Sequence, residues 1–235
     1  MNKAIPSLVA ISMSVFVIAA MAASKEPTVR WQEGTPGCTF TRGDDGKYRY
    51  GLWTDDLGIT IAIDSQELQK SHRRLQPFIG ILLDFSYRGK DSIALVPGRI
   101  NLEFVSHSHV VHHALNPQAF SERYQDLADA AAKYNQHESE KHPDKKELFD
   151  SRIAANEKEL VEMQEFLRSR SLKSIRLSPE VPKATGWVLF LAKDKWIGAW
   201  KQQEQLVLRI PLEDQTFEIP FQLPPSAGDL ILRKR

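Results

Sequence analysis

Four histidines are packed into the run Ser106-His107-Ser108-His109-Val110-Val111-His112-His113. If the strand that begins near Ile100 continues through them, His107 and His109 share a face, roughly 7 Å apart along the strand. Two imidazoles at that separation can chelate one metal ion, with His112 or His113 adding a nitrogen from the following turn. Donors of this kind suit zinc or copper. Glu103 shares the face but lies roughly 13 Å from His107 at strand rise, too far for the same ion. No other acid completes a hydrolytic set, so no catalytic residue is assigned. The competing reading is a polar strand end leading into a helix, its imidazoles satisfied by backbone groups.

A second group is aromatic. Trp196 and Trp200 flank Ile197-Gly198-Ala199, with Lys193, Lys195 and Lys201 around them. Exposed, such a segment binds a glycan, a lipid surface or a protein partner, since Trp is enriched at binding hot spots. Buried, the two rings are packing. Trp187, inside an apolar run, reads as core. Arg42-Gly43-Asp44 spells an adhesion tripeptide but runs into Asp45-Gly46, the chemistry of a plain turn. Asp44, Asp45, Asp55 and Asp56 match no calcium-loop spacing. No nucleophile elbow, phosphate-binding glycine loop, His-Glu-x-x-His or Cys-x-x-Cys pattern occurs.

These residues must be held by elements, and the chain of 235 residues has an ordinary globular balance, 42% hydrophobic and 26% charged. With 31 Lys+Arg against 30 Asp+Glu, it has no basic face to offer nucleic acid. The first 22 residues have the form of a signal peptide: Lys3, an apolar run from Leu8 to Met21, then Ala20-Met21-Ala22 as a small-x-small cleavage site. The alternative is an uncleaved N-terminal anchor. Cleavage removes Lys3, leaves a formally neutral chain with no membrane span, and implies the periplasm or secretion. Cys38, the only thiol, is expected to be buried as a small apolar residue rather than paired with another chain.

Three blocks follow the signal. From about Arg30 to His113, period-two alternation marks half-buried strands: Ile59-Ile61-Ile63, then Ile79 to Tyr87, then Ile100-Leu102-Phe104. From Asn116 to about Ser171 the period becomes helical. Asn116 caps the first helix, with Pro117 in its first turn. Phe120, Tyr124, Leu127, Ala131 and Tyr134 form its stripe, and after His142-Pro143 a second stripe holds Phe149, Ile153, Leu160, Met163 and Leu167. Two such helices joined by a short link make an antiparallel hairpin. Beyond it strands return. Gly186 to Leu191 is apolar on both faces and reads as a central strand; Leu206 to Leu212 and Phe217 to Phe221 alternate, and Leu230 and Leu232 add a last strand.

Neither flank has enough strands to close alone, so residues 23–235 are expected to form one β-sandwich domain carrying an inserted hairpin at about 116–171. The strand pattern Ser92-Ile93-Ala94-Leu95-Val96, then Gly186-Trp187-Val188-x-Phe190 and Leu206-Val207-Leu208-Arg209-Ile210, resembles telokin-like, immunoglobulin-type domains of bacterial exported proteins of unknown function. It covers about 77–112 and 184–222. The resemblance implies an immunoglobulin-like sandwich and interaction roles, with no shared catalytic residues to carry over. The expectation is a mainly β, non-catalytic exported binding or structural protein, with the hairpin as the element for a protein partner or self-association. The alternative is a zinc or copper protein, hydrolytic in its fullest form, using His107, His109 and His112.

Overall fold

The computed structural model describes residues 27–64, 75–191 and 203–223. Within them the alternating segments form β1 (Thr28–Arg30), β2 (Cys38–Arg42), β3 (Lys47–Trp53), β4 (Leu57–Asp64), β5 (Phe78–Tyr87), β6 (Ile93–Leu95), β7 (Asn101–Phe104) and β8 (Val110–His113). After helices α1 (Pro117–Lys141) and α2 (Lys146–Arg170) come β9 (Ile175–Leu177), β10 (Lys183–Leu191), β11 (Glu204–Leu212) and β12 (Gln215–Leu223). The chain is therefore mostly β, with two long helices. The expected strand at Leu230 and Leu232 lies outside the described residues, as do the leader sequence, Trp196 and Trp200.

One open sheet has the order β1-β12-β11-β7-β8 and a second has the order β10-β5-β4-β3-β2. Among the described residues only strands β1 and β12 pair in parallel; the other strand pairs of these sheets are antiparallel. Strands from before and after the helices pair directly, β5 with β10 and β7 with β11. A single apolar core unites the two sheets: Ile59, Ile61, Leu83 and Phe85 of one meet Leu208, Ile210, Phe217 and Ile219 of the other. All eight are 0% exposed, each side chain worth roughly 1.5–3 kcal/mol of burial. The period-two pattern thus sorts residues as strand geometry requires, apolar inward and polar outward.

The sheets are also tied by a hydroxyl. Tyr50 of β3, 6% exposed, takes a backbone hydrogen bond from Gln222 of β12. Burial, helped by the neighbouring Tyr48 and Glu33, pushes its phenol up to about 12 from 10.0. Below pH 10 the phenol is neutral in folded and unfolded chains alike; above it the unfolded chain ionises first. Stability is therefore lost between pH 10 and 12, by about 2 kcal/mol. The urea midpoint advantage of wild type over Tyr50→Phe is expected to shrink across that window, and an advantage constant with pH would contradict it.

The strand β10 is not central, as its two apolar faces suggested. It is the edge of its sheet. Val188 and Phe190 face the main core, while Leu189 joins Phe78, Phe120, Tyr124, Ala128, Leu160, Met163 and Leu167 in a second apolar cluster under the hairpin. Both faces are apolar because a helical layer covers the outer one. The open edge is covered too: Leu115 donates its N–H to the Leu189 carbonyl at 2.8 Å, and Leu172 donates to the Trp187 carbonyl at 2.9 Å. The two roots of the hairpin thus occupy edge positions that would otherwise invite another strand.

Both helices follow the local chemistry. Asn116 Oδ1 accepts from the N–H groups of Gln118 (2.9 Å) and Ala119 (3.1 Å), with Pro117 opening the helix. Such a cap is worth about 1 kcal/mol. His142 and the short 3-10 turn Pro143–Lys145 break the run before α2, which ends with Arg168 and Arg170 in its last turn.

Candidate functional site

The histidine run does not continue a strand. β7 stops at Phe104, the chain turns back, and β8 starts at Val110. The turn needs left-handed backbone at two successive residues, Ser108 (φ 54°) and His109 (φ 57°). Side chains other than glycine rarely adopt that conformation. His107 and His109 therefore leave on different sides of the sheet, and the single shared face expected for them is replaced by two.

On the core side, His107 Nε2 lies 2.7 Å from Glu204 Oε2, whose residue is only 2% exposed. Glu204 has the same parity along β11 as Leu206 and Leu208, so it closes the end of the core, and His107 supplies its partner. On the outer side, His109 Nδ1 lies 2.5 Å from Glu103 Oε1. Strand rise placed Glu103 out of reach of the histidines; the reversal of the chain brings it within reach of His109. His112, opposite Leu102, sets its ring edge-on to Phe104 at 5.0 Å. His113, opposite Asn101, is exposed.

Each of His107, His109 and His112 thus goes to a different neighbour. Among the described residues no group of three or more His, Cys, Asp or Glu side chains gathers to hold a metal ion. Each of the first two imidazoles spends one ring nitrogen on a buried carboxylate, which sets its orientation. That chemistry fastens a strained turn.

The carboxylate of Glu103 belongs to a longer row. Arg209 of β11 pairs with Glu103 and also donates from Nε to Glu218 Oε1 of β12 at 2.8 Å, and Arg30 of β1 pairs with Glu218. From β1 to the β7–β8 turn the outer face reads Arg30, Glu218, Arg209, Glu103, His109. Burial pushes the Glu218 carboxyl up, yet Arg209 and Arg30 outweigh it and hold the group below its ordinary range. Burial pulls the Arg209 guanidinium down, and Glu218 and Glu103 more than reverse it. Glu204 and this row were not singled out from sequence. The available signal was opposite charge at the polar positions of three alternating segments, Glu103, Arg209 and Glu218.

Other sequence motifs resolve locally. Asp45 takes both guanidinium nitrogens of Arg49 (3.0 and 2.6 Å) and Lys47 at 3.2 Å, which holds its carboxyl far below the usual carboxylate range. Arg42-Gly43-Asp44 leads into that β2–β3 turn. Cys38 is half-buried against the main core, its Sγ accepting the Gln32 N–H at 3.4 Å. Trp187 packs on Phe166 of α2 with ring centroids 5.8 Å apart, under the hairpin rather than in the main core.

The hairpin divides into two parts. At its root, Phe120, Tyr124 and Ala128 of α1 meet Leu160, Met163 and Leu167 of α2 over Phe78 and Leu189. The Tyr124 hydroxyl donates to Glu159 Oε1, which also accepts the Leu75 N–H at 3.1 Å. Beyond Ala128 and before Leu160, only Asn135 and Phe149 are buried. In that distal part Tyr134 is 62% and Leu148 49% exposed. The helical stripes expected from sequence are thus covered at the root, while Tyr134, expected on the stripe, faces outward.

No protein-family model, curated protein or solved structure matches this chain.

Proposed function

We propose that this is an exported, non-catalytic binding or structural protein of the periplasm or cell surface, an immunoglobulin-like sandwich that engages a protein partner through its inserted hairpin. The observation that carries this reading is the exposure of Tyr134 and Leu148 on the part of the hairpin that buries least. A large aromatic and a leucine held open on a firmly rooted element have the character of interface anchors. Two open sheets over one core support the sandwich part of this reading, with the helices as an addition to it. The leader-like first 22 residues support export, with a mature N-terminus at Ala23.

A photo-reactive phenylalanine analogue placed at Tyr134 of the intact chain, in the source cell, is expected to yield one discrete protein adduct. Leu148→Glu in the same chain is expected to reduce that adduct at least about tenfold, as for loss of a hot-spot contact. Light scattering then separates the two kinds of partner: an adduct of twice the chain mass means self-association. Absence of any adduct, or one indifferent to Leu148→Glu, overturns the reading.

A further inference from the structure

We propose that the groove at the β1–β2 side of the molecule is a binding site for a short neutral oligosaccharide. Among the described residues this is an open groove of about 560 Å³, within the range of small-ligand sites. None of its lining residues belongs to the hairpin, so the site stands apart from the protein-partner reading.

One wall is aromatic. Tyr50 sits at its centre, with Trp31 edge-on at 5.3 Å, Phe40 tilted at 4.8 Å and Phe221 at 6.0 Å between ring centroids. Tyr50 and Phe221 are buried and fix the others, while Phe40 is 42% exposed. Trp31 is locked as well, its indole N–H donating to the Thr39 carbonyl at 3.1 Å. The face of an aromatic ring carries negative charge density, which attracts the polarised C–H bonds on the flat side of a pyranose, and Phe40 is the exposed ring of this set.

The polar side consists of amides. Gln205 of β11 and Gln222 of β12 lie directly opposite one another, are both exposed, and both line the groove. Each primary amide carries two donors and an acceptor, the set that adjacent sugar hydroxyls require. Charge argues against an ionic ligand. Arg30 and Glu33 lie at the groove with opposite signs, and Arg30 is already held by Glu218. An aliphatic ligand would leave the amides unused; a neutral polyol with apolar faces uses both walls.

The test is calorimetric titration of the intact chain with cellotetraose, maltotetraose and chitotetraose as separate probes, to millimolar concentration. At least one is expected to bind saturably. Phe40→Ala and Gln205→Ala are each expected to weaken that binding about tenfold, the loss of one good contact, with both variants folded and the melting temperature unchanged in Gln205→Ala, whose side chain is exposed. Three probes without saturable heat overturn the proposal. So does binding that Phe40→Ala leaves unaltered, or a groove that takes an oligoproline peptide in preference to all three sugars.

Discussion

Replacing Arg209 by methionine is expected to cost the fold about 3 kcal/mol, measured as the fall in unfolding free energy in urea. The reason is the pair of carboxylates it leaves behind. Glu103 is 6% exposed and Glu218 is half-buried, and Arg209 serves both. Methionine fills much of the volume of the arginine stem, so packing survives while Glu218 is left with Arg30 alone and Glu103 with His109 alone. A buried pair deprived of one partner loses more than the pair contributes, because the remaining charge stays desolvated. Arg209→Met combined with Glu103→Gln and Glu218→Gln is therefore expected to recover at least half of the loss. Arg209→Lys is expected to recover only part, since a single ammonium cannot reproduce the planar fork that reaches two strands. A methionine variant as stable as wild type would show that the row contributes nothing measurable.

The second large effect concerns Gly186 of β10. A Cβ built there lies 2.4 Å from the Leu172 Cα and 2.5 Å from the Leu172 nitrogen. Those are backbone atoms of the hairpin's outgoing root, so no rotamer change relieves the clash. Gly186→Ala is expected to cost about 2–3 kcal/mol, the range for overpacking a tight site. The damage is also expected to be local. Because Leu172 donates to the Trp187 carbonyl, its amide should exchange with solvent much faster, while the Ile61 and Leu208 amides in the main core keep their protection relative to the global stability. Uniform acceleration across the core would mean that root and core are one cooperative unit.

What could be read from the sequence was governed by periodicity. Ile59-Ile61-Ile63 and Ile79 to Tyr87 became β4 and β5, and Asn116-Pro117 opened α1, because in each case the decisive interactions lie within a few residues. What could not be read depends on neighbours far along the chain. The two apolar faces of Gly186 to Leu191 are equally compatible with a central strand and with an edge strand under helices. Only the docking of Leu115 and Leu172 decides between them. The histidines show the same limit at short range. Alternation alone extends β7 through His107, whereas the backbone reverses at Ser108 and His109, two successive left-handed residues without a glycine to mark them. The Glu103–Arg209–Glu218 row needed strand pairing across more than a hundred residues, although its three members were visible as the polar positions of their strands.

The two fastenings of the hairpin have a mechanical consequence. Leu115 and Leu172 grip carbonyls two residues apart on β10, roughly 7 Å along the strand, whereas 25 residues of helix reach about 37 Å. The hairpin is therefore a long lever on a narrow hinge, and a sideways pull at its tip reaches those two bonds multiplied about fivefold. Two hydrogen bonds are poor anchors against such torque. The apolar cluster around Phe120 and Leu167 must act as the bearing, and any large partner at the tip exerts its leverage first on β10.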